Sequence, residues 1–289
     1  MKISNEWIEY ECLDAGGGEK LERFGEVIFR RPDPQAIWNV ENNENWNKID
    51  GFYHRSPEGG GNWEFKSHLP KFWTINYKHL TFKISPTNFK HTGIFPEQAV
   101  NWDFCMDKIK KANRKIKVLN LFAYTGCATM AASSAGASVV QVDASRGMTD
   151  WAKENMHLSH LENNEIRFIV DDCVKFVSRE IRRGNKYDAI IMDPPSYGRG
   201  PNKEVWKFEK NIYYLIDLCM QILSDKPLFF LINSYTTGIS SIVLENILKT
   251  TILKKYPNGK VSAGEVGLPI TRDNLVLPCG IYGRWEEND

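Results

Sequence analysis

The spacing of hydrophobic and polar positions changes near residue 105. Before this point, short β-branched or aromatic runs alternate with turn residues, which is typical of strands. The runs at 26–30, 62–65, 73–77 and 80–84 predict strands, and turn residues at 31–34 and 59–61 separate them. Six of the nine tryptophans lie in the first 102 residues. The pattern predicts a β-rich N-terminal domain over residues 1–105.

Beyond residue 116, short apolar runs alternate with longer segments of helical spacing. Strands are predicted at 118–122, 138–142, 166–170, 187–192 and 228–233. Helices are predicted at 128–135, 145–160, 173–183, 203–223 and 240–253, the second of them beginning at Ser145 as N-cap. Five strand–helix units in series predict an α/β domain over residues 106–289, with helices on both faces of a mostly parallel sheet. The runs at 260–266 and 279–285 predict a closing antiparallel hairpin.

The charge balance limits what the protein can bind through net charge alone. Lysine and arginine total 37 against 36 acidic residues, so the formal net charge is +1. Residues 1–105 carry 12 basic and 15 acidic side chains (net −3), and the remainder carries 25 and 21 (net +4). An RNA partner would therefore need a local basic surface. One candidate is the run of six basic residues within 107–117; the alternative is an ordinary solvated helix face.

Other features bear on location and metal chemistry. The longest apolar run, 228–232, has five residues, whereas a membrane-spanning helix needs roughly 20. The start MKISNEWIEYEC lacks the apolar stretch of an export signal, which indicates a cytoplasmic protein. The six cysteines are scattered without metal-ligand spacing, so we expect buried, reduced thiols and no metal site.

In a parallel α/β sheet, ligands bind beyond the carboxyl ends of the strands. The first predicted strand leads into a turn with a single glycine, Gly126, so the G-x-G-x-x-G fingerprint of a dinucleotide binder is absent. The bend still allows backbone N–H groups to approach a carboxylate or a sugar. The alternative is a purely structural turn. The candidate residues here are Phe122, Ala123, Tyr124, Thr125 and Gly126.

The second predicted strand is followed by Asp143, 17 residues after Gly126. An acidic side chain at about this spacing can accept hydrogen bonds from both hydroxyls of a ribose. The alternative is that Asp143 only caps the turn ahead of Ser145.

The third predicted strand is followed by Asp171, Asp172 and Cys173. Their carboxylates can accept from an adenine amine while a backbone N–H meets a ring nitrogen. Alternatively, both acids only occupy a helix N-terminus, where the helix dipole favours negative charge.

The fourth predicted strand is followed by Asp193, Pro194, Pro195, Ser196 and Tyr197. Two successive prolines fix φ and prevent helix formation, so this loop is expected to be rigid. A structural turn is the alternative. Further basic residues follow and can contact phosphates, or they belong to an amphipathic helix: Arg199, Lys203, Lys207 and Lys210.

Together these motifs resemble the class I S-adenosylmethionine-dependent methyltransferases across residues 116–235. Within that superfamily the chain is similar to the bacterial large-subunit ribosomal RNA methyltransferases that modify cytosine carbon five or guanine ring nitrogen seven. The resemblance rests on LNLFAYTGCAT, VDAS, VDDCVKF and MDPPSY, and on a preceding HTGIFPEQ segment. It implies a Rossmann-like fold with a mostly parallel seven-stranded sheet and an antiparallel last strand, after an N-terminal β-rich α+β domain.

The resemblance also implies S-adenosylmethionine as cofactor and a division of roles among the candidates. Cofactor binding would involve Thr92, Gln98, Phe122, Ala123, Tyr124, Thr125, Gly126, Asp143, Ser145, Asp171, Asp172 and Cys173. Asp193, Pro194 and Pro195 would position the methyl acceptor, and Tyr197 would stack on it.

Three departures from the family pattern narrow the expected reaction. Ala99 replaces an arginine, no RNA-binding PUA module precedes the β-rich region, and Thr236 replaces the nucleophilic cysteine of the carbon-five cytosine enzymes. A threonine hydroxyl cannot replace a thiolate without a strong base. We therefore expect direct methyl transfer to a nitrogen of ribosomal RNA.

Three alternatives stay open at this stage. The first is a protein or small-molecule acceptor for the same methyl transfer. The second is a non-catalytic RNA-binding module on the same fold. The third is a nicotinamide dehydrogenase, which the missing glycines disfavour.

Overall fold

The computed structural model describes residues 1–40, 44–56, 60–199 and 204–288. It divides into two compact units. The C-terminal unit comprises Met1, Asn101–Glu265 and Gly280–Asp289, and the N-terminal unit comprises Lys2–Val100 and Val266–Cys279. The segment Val266–Cys279, which follows the predicted boundary at residue 105, thus groups with the N-terminal residues. That the two parts are separate domains stays a prediction.

The N-terminal unit is β-rich, as the sequence predicts. It contains a five-stranded sheet in the order β2-β3-β4-β5-β6 and a β7-β8 hairpin; within these, β4 and β5 pair in parallel and the other described neighbours pair antiparallel. Two short 3-10 helices lie at Glu44–Asn47 and Pro96–Gln98. The strands are β1 (Lys2–Ile3), β2 (Tyr10–Gly16), β3 (Glu19–Phe24), β4 (Val27–Pro32), β5 (Gly51–Arg55), β6 (Gly61–Phe65), β7 (Trp73–Tyr77) and β8 (Leu80–Ile84).

Aromatic side chains form the core of the N-terminal unit. Phe29 is fully buried, and its ring centroid lies 4.7 Å from that of Trp63 and 5.8 Å from that of Trp73. The rings of Phe24 and Phe82 are also fully buried. This packing accounts for the concentration of tryptophan in the first third of the chain.

A buried ion network lies among these strands. The Glu22 carboxylate is completely buried, contacts Arg31 at 2.6 Å and Lys20 at 3.3 Å, and accepts from the Tyr10 hydroxyl at 2.7 Å. Burial alone would raise the pKa of Glu22, but the two cations outweigh it and lower the pKa to about 2. The charged Glu22 carboxylate is tolerated in the core because Arg31, Lys20 and Tyr10 form ion pairs and a hydrogen bond with it.

The C-terminal unit holds the predicted α/β sheet. The sheet has the order β1-β16-β17-β15-β12-β9-β10-β11, and the short β1, which pairs with β16, makes it one strand larger than the seven-stranded sheet predicted. The strands β15, β12, β9, β10 and β11 pair in parallel, and β17 pairs antiparallel with β15. The strands are β9 (Lys117–Leu121), β10 (Ser138–Asp143), β11 (Ile166–Val170), β12 (Ala189–Met192), β13 (Tyr197–Arg199), β14 (Val205–Lys207), β15 (Phe229–Ser234), β16 (Gly259–Pro269) and β17 (Val276–Glu287). The helices are α1 (Ala99–Lys111), α2 (Cys127–Ser134), α3 (Arg146–Leu158), α4 (Cys173–Arg183), α5 (Phe208–Met220), α6 (Ser241–Thr250) and α7 (Ile252–Lys255).

Two predicted helices differ from the structure. The helix predicted at 203–223 is wrong at its start, because 205–207 form strand β14 and the helix begins only at Phe208. Lys203 lies outside the described residues. In β14, Trp206 is buried between the exposed Val205 and Lys207, which is the alternation of a strand. The helix predicted at 240–253 is divided into α6 and α7, because Thr251 leaves the helical conformation at φ −112° and ψ −86°.

A hydrophobic core of the C-terminal unit packs on one face of the parallel sheet, where Leu119, Ile190 and Phe230 are in register on neighbouring strands. Strand residues such as Leu119, Ile190 and Phe230 are fully buried, and helix residues such as Phe176 and Ile216 pack into the same core. No helix in the described part of the chain is long and apolar enough to span a membrane. The sheet thus presents the carboxyl ends of four neighbouring parallel strands, β11, β10, β9 and β12, at one edge.

Candidate functional site

The loop after β9 has an unusual backbone. Phe122, Tyr124 and Gly126 take positive φ angles of 53°, 51° and 79°. Such angles are rare for residues with a side chain, so the surrounding structure must hold them. The Gly126 N–H donates to the Ala123 carbonyl at 2.9 Å, and α2 begins directly after Gly126. The loop is therefore a fixed turn that brings backbone groups to the strand end.

Gly126 is required by space as well as by conformation. A Cβ atom there would lie 2.6 Å from Gln141 Oε1 and 2.8 Å from the Ala152 Cβ. Asn155 of α3 donates to the Thr125 carbonyl at 2.9 Å, which brings this helix close to the turn.

Replacing Gly126 with alanine should therefore lower the free energy of unfolding by about 2–4 kcal/mol, combining left-handed strain with overpacking. Gly136→Ala is the matched control, because Gly136 also has a positive φ (99°) but no atom within 4 Å of the added Cβ. Its loss should be limited to about 1–2 kcal/mol of backbone strain. Chemical denaturation measures both, and equal losses would contradict the packing explanation.

Asp143 ends β10 and accepts two backbone hydrogen bonds. Its Oδ2 accepts from the Tyr124 N–H and its Oδ1 from the Ser145 N–H, both at 2.8 Å. Burial raises the pKa of Asp143, and the two N–H donors oppose this rise. Each carboxylate oxygen has a further lone pair, so the group can fix the loop and still accept from two hydroxyls. The predicted N-cap is also present, since the Ser145 hydroxyl accepts from the Met148 N–H at 3.3 Å.

The acids after β11 lie at a helix N-terminus, which is the alternative to adenine binding given for Asp171 and Asp172. Asp172 is the N-cap of α4, and its Oδ1 accepts from the Lys175 N–H at 2.9 Å. Asp171 forms an ion pair with Arg179. Burial raises the pKa of Cys173 well above its ordinary value, although a hydrogen bond from the Phe122 backbone opposes the rise. Adenine recognition by these residues stays a prediction.

Backbone contacts bring the strand ends together. The Asp171 N–H donates to the Asp143 carbonyl at 3.0 Å, and the Ala123 N–H donates to the Val142 carbonyl at 3.1 Å. With the Cys173 contact to the Phe122 backbone, these bonds join the ends of β9, β10 and β11. Ten of the twelve predicted cofactor residues thus lie in one cluster.

The loop after β12 is held by a residue that the sequence did not indicate as part of the site. The Trp206 indole N–H donates to the Pro195 carbonyl at 2.7 Å, and its ring centroid lies 4.9 Å from that of Phe122. Pro194 is buried, and the Asp193 side chain is half-buried at the strand end. Trp206 therefore connects the proline loop to the cluster. The chain pattern gave no signal for this role, because Trp206 was assigned to a helix.

Tyr197 and the basic residues lie on the β13–β14 hairpin and at the start of α5. Tyr197 is 52% exposed and pairs with Lys207 across the hairpin. Arg199 donates from Nε to the Tyr197 hydroxyl at 3.2 Å. Lys207 and Lys210 are exposed. The aromatic ring and its basic neighbours are thus accessible to a ligand.

The basic run at 107–117 is largely neutralised by carboxylates. Lys108 contacts Glu286 at 2.7 Å, Lys111 contacts Asp107 at 2.8 Å, Arg114 contacts Asp188 at 2.8 Å and Lys115 contacts Glu165 at 3.0 Å. The Lys117 ammonium lies 4.7 Å from the Tyr187 ring centroid. Most of the run thus has carboxylate partners within the C-terminal unit, as on an ordinary solvated helix face, and RNA binding by this run stays a prediction.

Thr236, which the sequence resemblance aligns with the nucleophilic cysteine of the carbon-five cytosine enzymes, follows β15. Its hydroxyl is buried and has no hydrogen-bond partner among the described residues. Nearby, Asn101 donates to Asn233 Oδ1 at 2.8 Å, and the buried Arg284 contacts Asn101. This polar chain was not foreseen from sequence, because Asn101 is more than 100 residues from both of its partners.

Thr92 and Gln98 belong to the N-terminal unit. Both side chains are buried, and the segment that carries them is held at the Pro96 carbonyl, which accepts from the Ser4 hydroxyl and the Trp7 indole, each at 2.9 Å. Arg31 donates to the carbonyl of Lys90 at the start of the same segment at 2.7 Å. The part of Thr92 and Gln98 in cofactor binding stays a prediction.

His91, within this segment, predicts a pH dependence of stability. Burial lowers its pKa to about 4, with further lowering by the charges of Arg31, Lys90 and Lys20. An unfolded histidine titrates near 6.5, so protons bind the unfolded state preferentially between these values. The neutral, buried His91 contributes fully to the free energy of unfolding above pH 6.5. This free energy then declines by up to about 1.4 kcal/mol per pH unit as the pH falls towards 4. The thermal midpoint of wild type should therefore fall more steeply over this range than that of His91→Gln; parallel curves would contradict the assignment.

Comparison with known proteins identifies the family. A family model described as S-adenosylmethionine-dependent methyltransferase matches residues 47–249, which is more than half of the chain. The chain belongs to this methyltransferase family. Its cofactor is S-adenosylmethionine, as the sequence predicts, and the nicotinamide alternative is set aside.

Relatives of this methyltransferase agree with that assignment. It is similar to the SAM-dependent methyltransferase from Agrobacterium tumefaciens, with a TM-score of 0.94 and 35% identity, covering 99% of this chain and 93% of that one. It is 34% identical over 145 residues to ribosomal RNA large subunit methyltransferase K/L of Shewanella frigidimarina, covering 50% of this chain and 20% of the relative. It is 25% identical over 267 residues to ribosomal RNA large subunit methyltransferase K of Neisseria meningitidis, covering 83% and 72%. The match thus spans about a fifth of the length of the Shewanella protein.

The cluster at the strand ends has a suitable donor set for this cofactor. Asp143 offers two acceptor oxygens for the ribose hydroxyls, and the Gly126 turn offers backbone groups for the amino-acid portion. Asp172 keeps one carboxylate oxygen beyond the Oδ1 that caps α4. These groups lie at the ends of three adjacent parallel strands, which is where sheets of this kind bind ligands.

Proposed function

We propose that this protein transfers a methyl group to a nitrogen atom of an RNA base, and that the RNA is ribosomal. The observation that carries the proposal is the rigid Asp193-Pro194-Pro195 loop, which Trp206 fixes beside the cofactor cluster, followed by the exposed Tyr197. The names of the Shewanella and Neisseria relatives support a ribosomal RNA substrate. Such a substrate also fits a cytoplasmic protein.

The cofactor supplies an electrophilic methyl group on a positively charged sulfur. The residues of the chain then need to orient an acceptor that already has a lone pair. The new N–C bond forms as the methyl–sulfur bond breaks, and Asp193 can accept first the hydrogen bond and then the proton of the acceptor N–H, while the prolines restrict movement of the loop. Correct orientation of two reactants can supply about 7–11 kcal/mol of the barrier.

Tyr197 provides a surface for the target base. Its exposed ring can stack on the base, which is worth about 1–3 kcal/mol. Arg199, Lys207 and Lys210 can contact the flanking phosphates. A base within a helix would have to be flipped out to reach this position.

The cysteines favour a nitrogen over cytosine carbon five. Burial raises the pKa of all six thiols, to about 12 for Cys105 and Cys127. Thiols with such pKa values remain protonated and are poor nucleophiles. The buried Thr236 hydroxyl has no general base bonded to it in the described residues, so it cannot replace a thiolate.

The proposal is tested by incubating the protein with methyl-labelled S-adenosylmethionine and fractionated cell extract. Label should enter RNA, and ribonuclease should release it. Label in protein or in small molecules would identify a different acceptor. Cofactor binding without label in any fraction would support the non-catalytic alternative.

A further inference from the structure

Charge is unevenly distributed within the N-terminal unit. Residues 60–91 contain five lysines and a single glutamate, a net charge of +4, although residues 1–105 together have a net charge of −3. Seven aromatic residues are interspersed with these lysines. Basic residues alternating with aromatic rings are typical of surfaces that bind single-stranded nucleic acid.

Three phenylalanines of this segment are exposed. The exposed fractions of Phe65, Phe72 and Phe89 are 47%, 48% and 63%. Large exposed aromatic groups are unfavourable in water and commonly mark binding surfaces when they occur together. Other aromatic residues of the segment, such as Phe82 and Tyr77, are buried in the core.

Trp63 fixes two of these exposed positions. Its ring is stacked on that of Phe65, with a centroid separation of 5.6 Å and an interplanar angle of 6°. Its indole N–H donates to the Thr87 carbonyl at 2.9 Å and to the Phe89 carbonyl at 3.0 Å. The strand that carries Phe65 is therefore bonded to the loop that carries Phe89.

Phe72, the third exposed phenylalanine, is linked to the loop that carries Phe89. The Ser85 hydroxyl donates to the Lys71 carbonyl at 2.9 Å, directly before Phe72. The Lys83 ammonium lies 4.9 Å from the Phe72 ring centroid. A cation thus sits beside the ring, as in sites where a base stacks and its phosphate is neutralised.

We propose that this aromatic–lysine face binds single-stranded RNA. The face is defined as Phe65, Phe72 and Phe89 with Lys66, Lys71 and Lys83. The rings provide stacking positions for unpaired bases, and the lysines neutralise phosphates. The inference rests on the proposed RNA substrate and assigns part of its recognition to residues outside the strand-end cluster.

The chemistry of the face favours RNA over an apolar protein partner. Its exposed apolar groups are flat aromatic rings, Lys66 and Lys71 adjoin two of them in sequence, and the Lys83 ammonium lies 4.9 Å from the Phe72 ring centroid. The only ion pair of Lys66 with a described residue is with Glu64, and such exposed pairs are weak because solvent screens them. A phosphate can therefore replace this partner.

Fluorescence anisotropy with the full chain tests the inference. The probes are a labelled mixed-sequence single-stranded RNA of about 12 nucleotides and a duplex of the same length. Wild type should bind the single strand more tightly. The Phe65→Ala/Phe72→Ala/Phe89→Ala variant should lose about tenfold or more in affinity for it. Replacing the three lysines with glutamine should weaken binding and flatten its dependence on salt concentration.

Two controls separate a binding effect from misfolding. Ile8→Ala/Ile37→Ala removes two exposed apolar side chains of the same unit outside the face and should bind RNA as wild type does. Phe89→Ala alone removes a largely exposed loop ring and should still lose affinity about threefold or more. Unchanged affinity in the triple and single phenylalanine variants would overturn the inference, as would equal binding of single strand and duplex.

Failure of RNA binding by the aromatic–lysine face can be distinguished from failure of the proposed methyl transfer. The binding assay needs no methyl transfer, so it can succeed even if the acceptor atom has been assigned wrongly. Conversely, label transfer to RNA with unaltered binding by the phenylalanine variants would overturn only this inference.

Discussion

Replacing Asp143 with alanine should abolish measurable binding of S-adenosylmethionine in calorimetric titration. The expected loss is more than about a hundredfold, because two hydrogen bonds to a charged group contribute about 1.5–3 kcal/mol each. The substitution also removes the acceptor for the Tyr124 and Ser145 N–H groups, which fix the loop after β9. Losing the hydrogen bonds to the ribose and losing the fixed loop both weaken cofactor binding at the strand-end cluster.

Two variants accompany this experiment. Asp150→Ala removes an exposed carboxylate of the following helix, α3, whose partner is Lys153, and should bind the cofactor as wild type does. Asp143→Asn keeps one acceptor oxygen and should retain intermediate affinity. Wild-type affinity in Asp143→Ala would refute the assigned role of this carboxylate.

Replacing Asp193 with alanine should lower the rate of methyl transfer by about 10²–10³ while cofactor affinity changes less than twofold. Loss of a single positioning group that holds the acceptor commonly has an effect of this size. Asp193 follows β12 on the loop whose Pro195 carbonyl is bonded to Trp206, whereas Asp143 ends β10 and accepts from the N–H groups that fix the loop after β9. The Asp193→Ala variant should therefore lose methyl transfer and keep its affinity for the cofactor.

The matched control for Asp193 is Asp217→Ala, which removes an exposed carboxylate from α5. It should leave both the transfer rate and cofactor binding unchanged. Asp193→Asn should keep part of the activity, because the amide oxygen still accepts a hydrogen bond. A parallel loss of binding and transfer in Asp193→Ala would instead place this residue in the cofactor site.

Much of the C-terminal sheet could be predicted because its signals are local. Strand β11 and helix α4 were predicted with their observed bounds, since an apolar run precedes a capped helix there. The order of the strand-end residues then followed from the rule for parallel sheets. Family membership and the cofactor followed from the same motifs.

Features that depend on distant partners were not predicted. Strand β3 has the sequence EKLERF, which looks exposed, yet Glu22 is buried because Arg31 and Lys20 neutralise it. Strand β14 was assigned to a helix, since the bond from Trp206 to the Pro195 carbonyl is a tertiary contact. The basic run at 107–117 looked available for RNA, but its carboxylate partners include Glu286, near the end of the chain.

Nucleoside mass spectrometry of the methylated RNA tests the central claim most directly. RNA from a labelled transfer reaction is digested to nucleosides, and the position of the new methyl group is identified, with Asp193→Ala protein as the control. The account predicts a nucleoside methylated at nitrogen with wild type and a yield about 10²–10³ lower with the variant. Labelled 5-methylcytidine, or the absence of any methylated nucleoside, would contradict it.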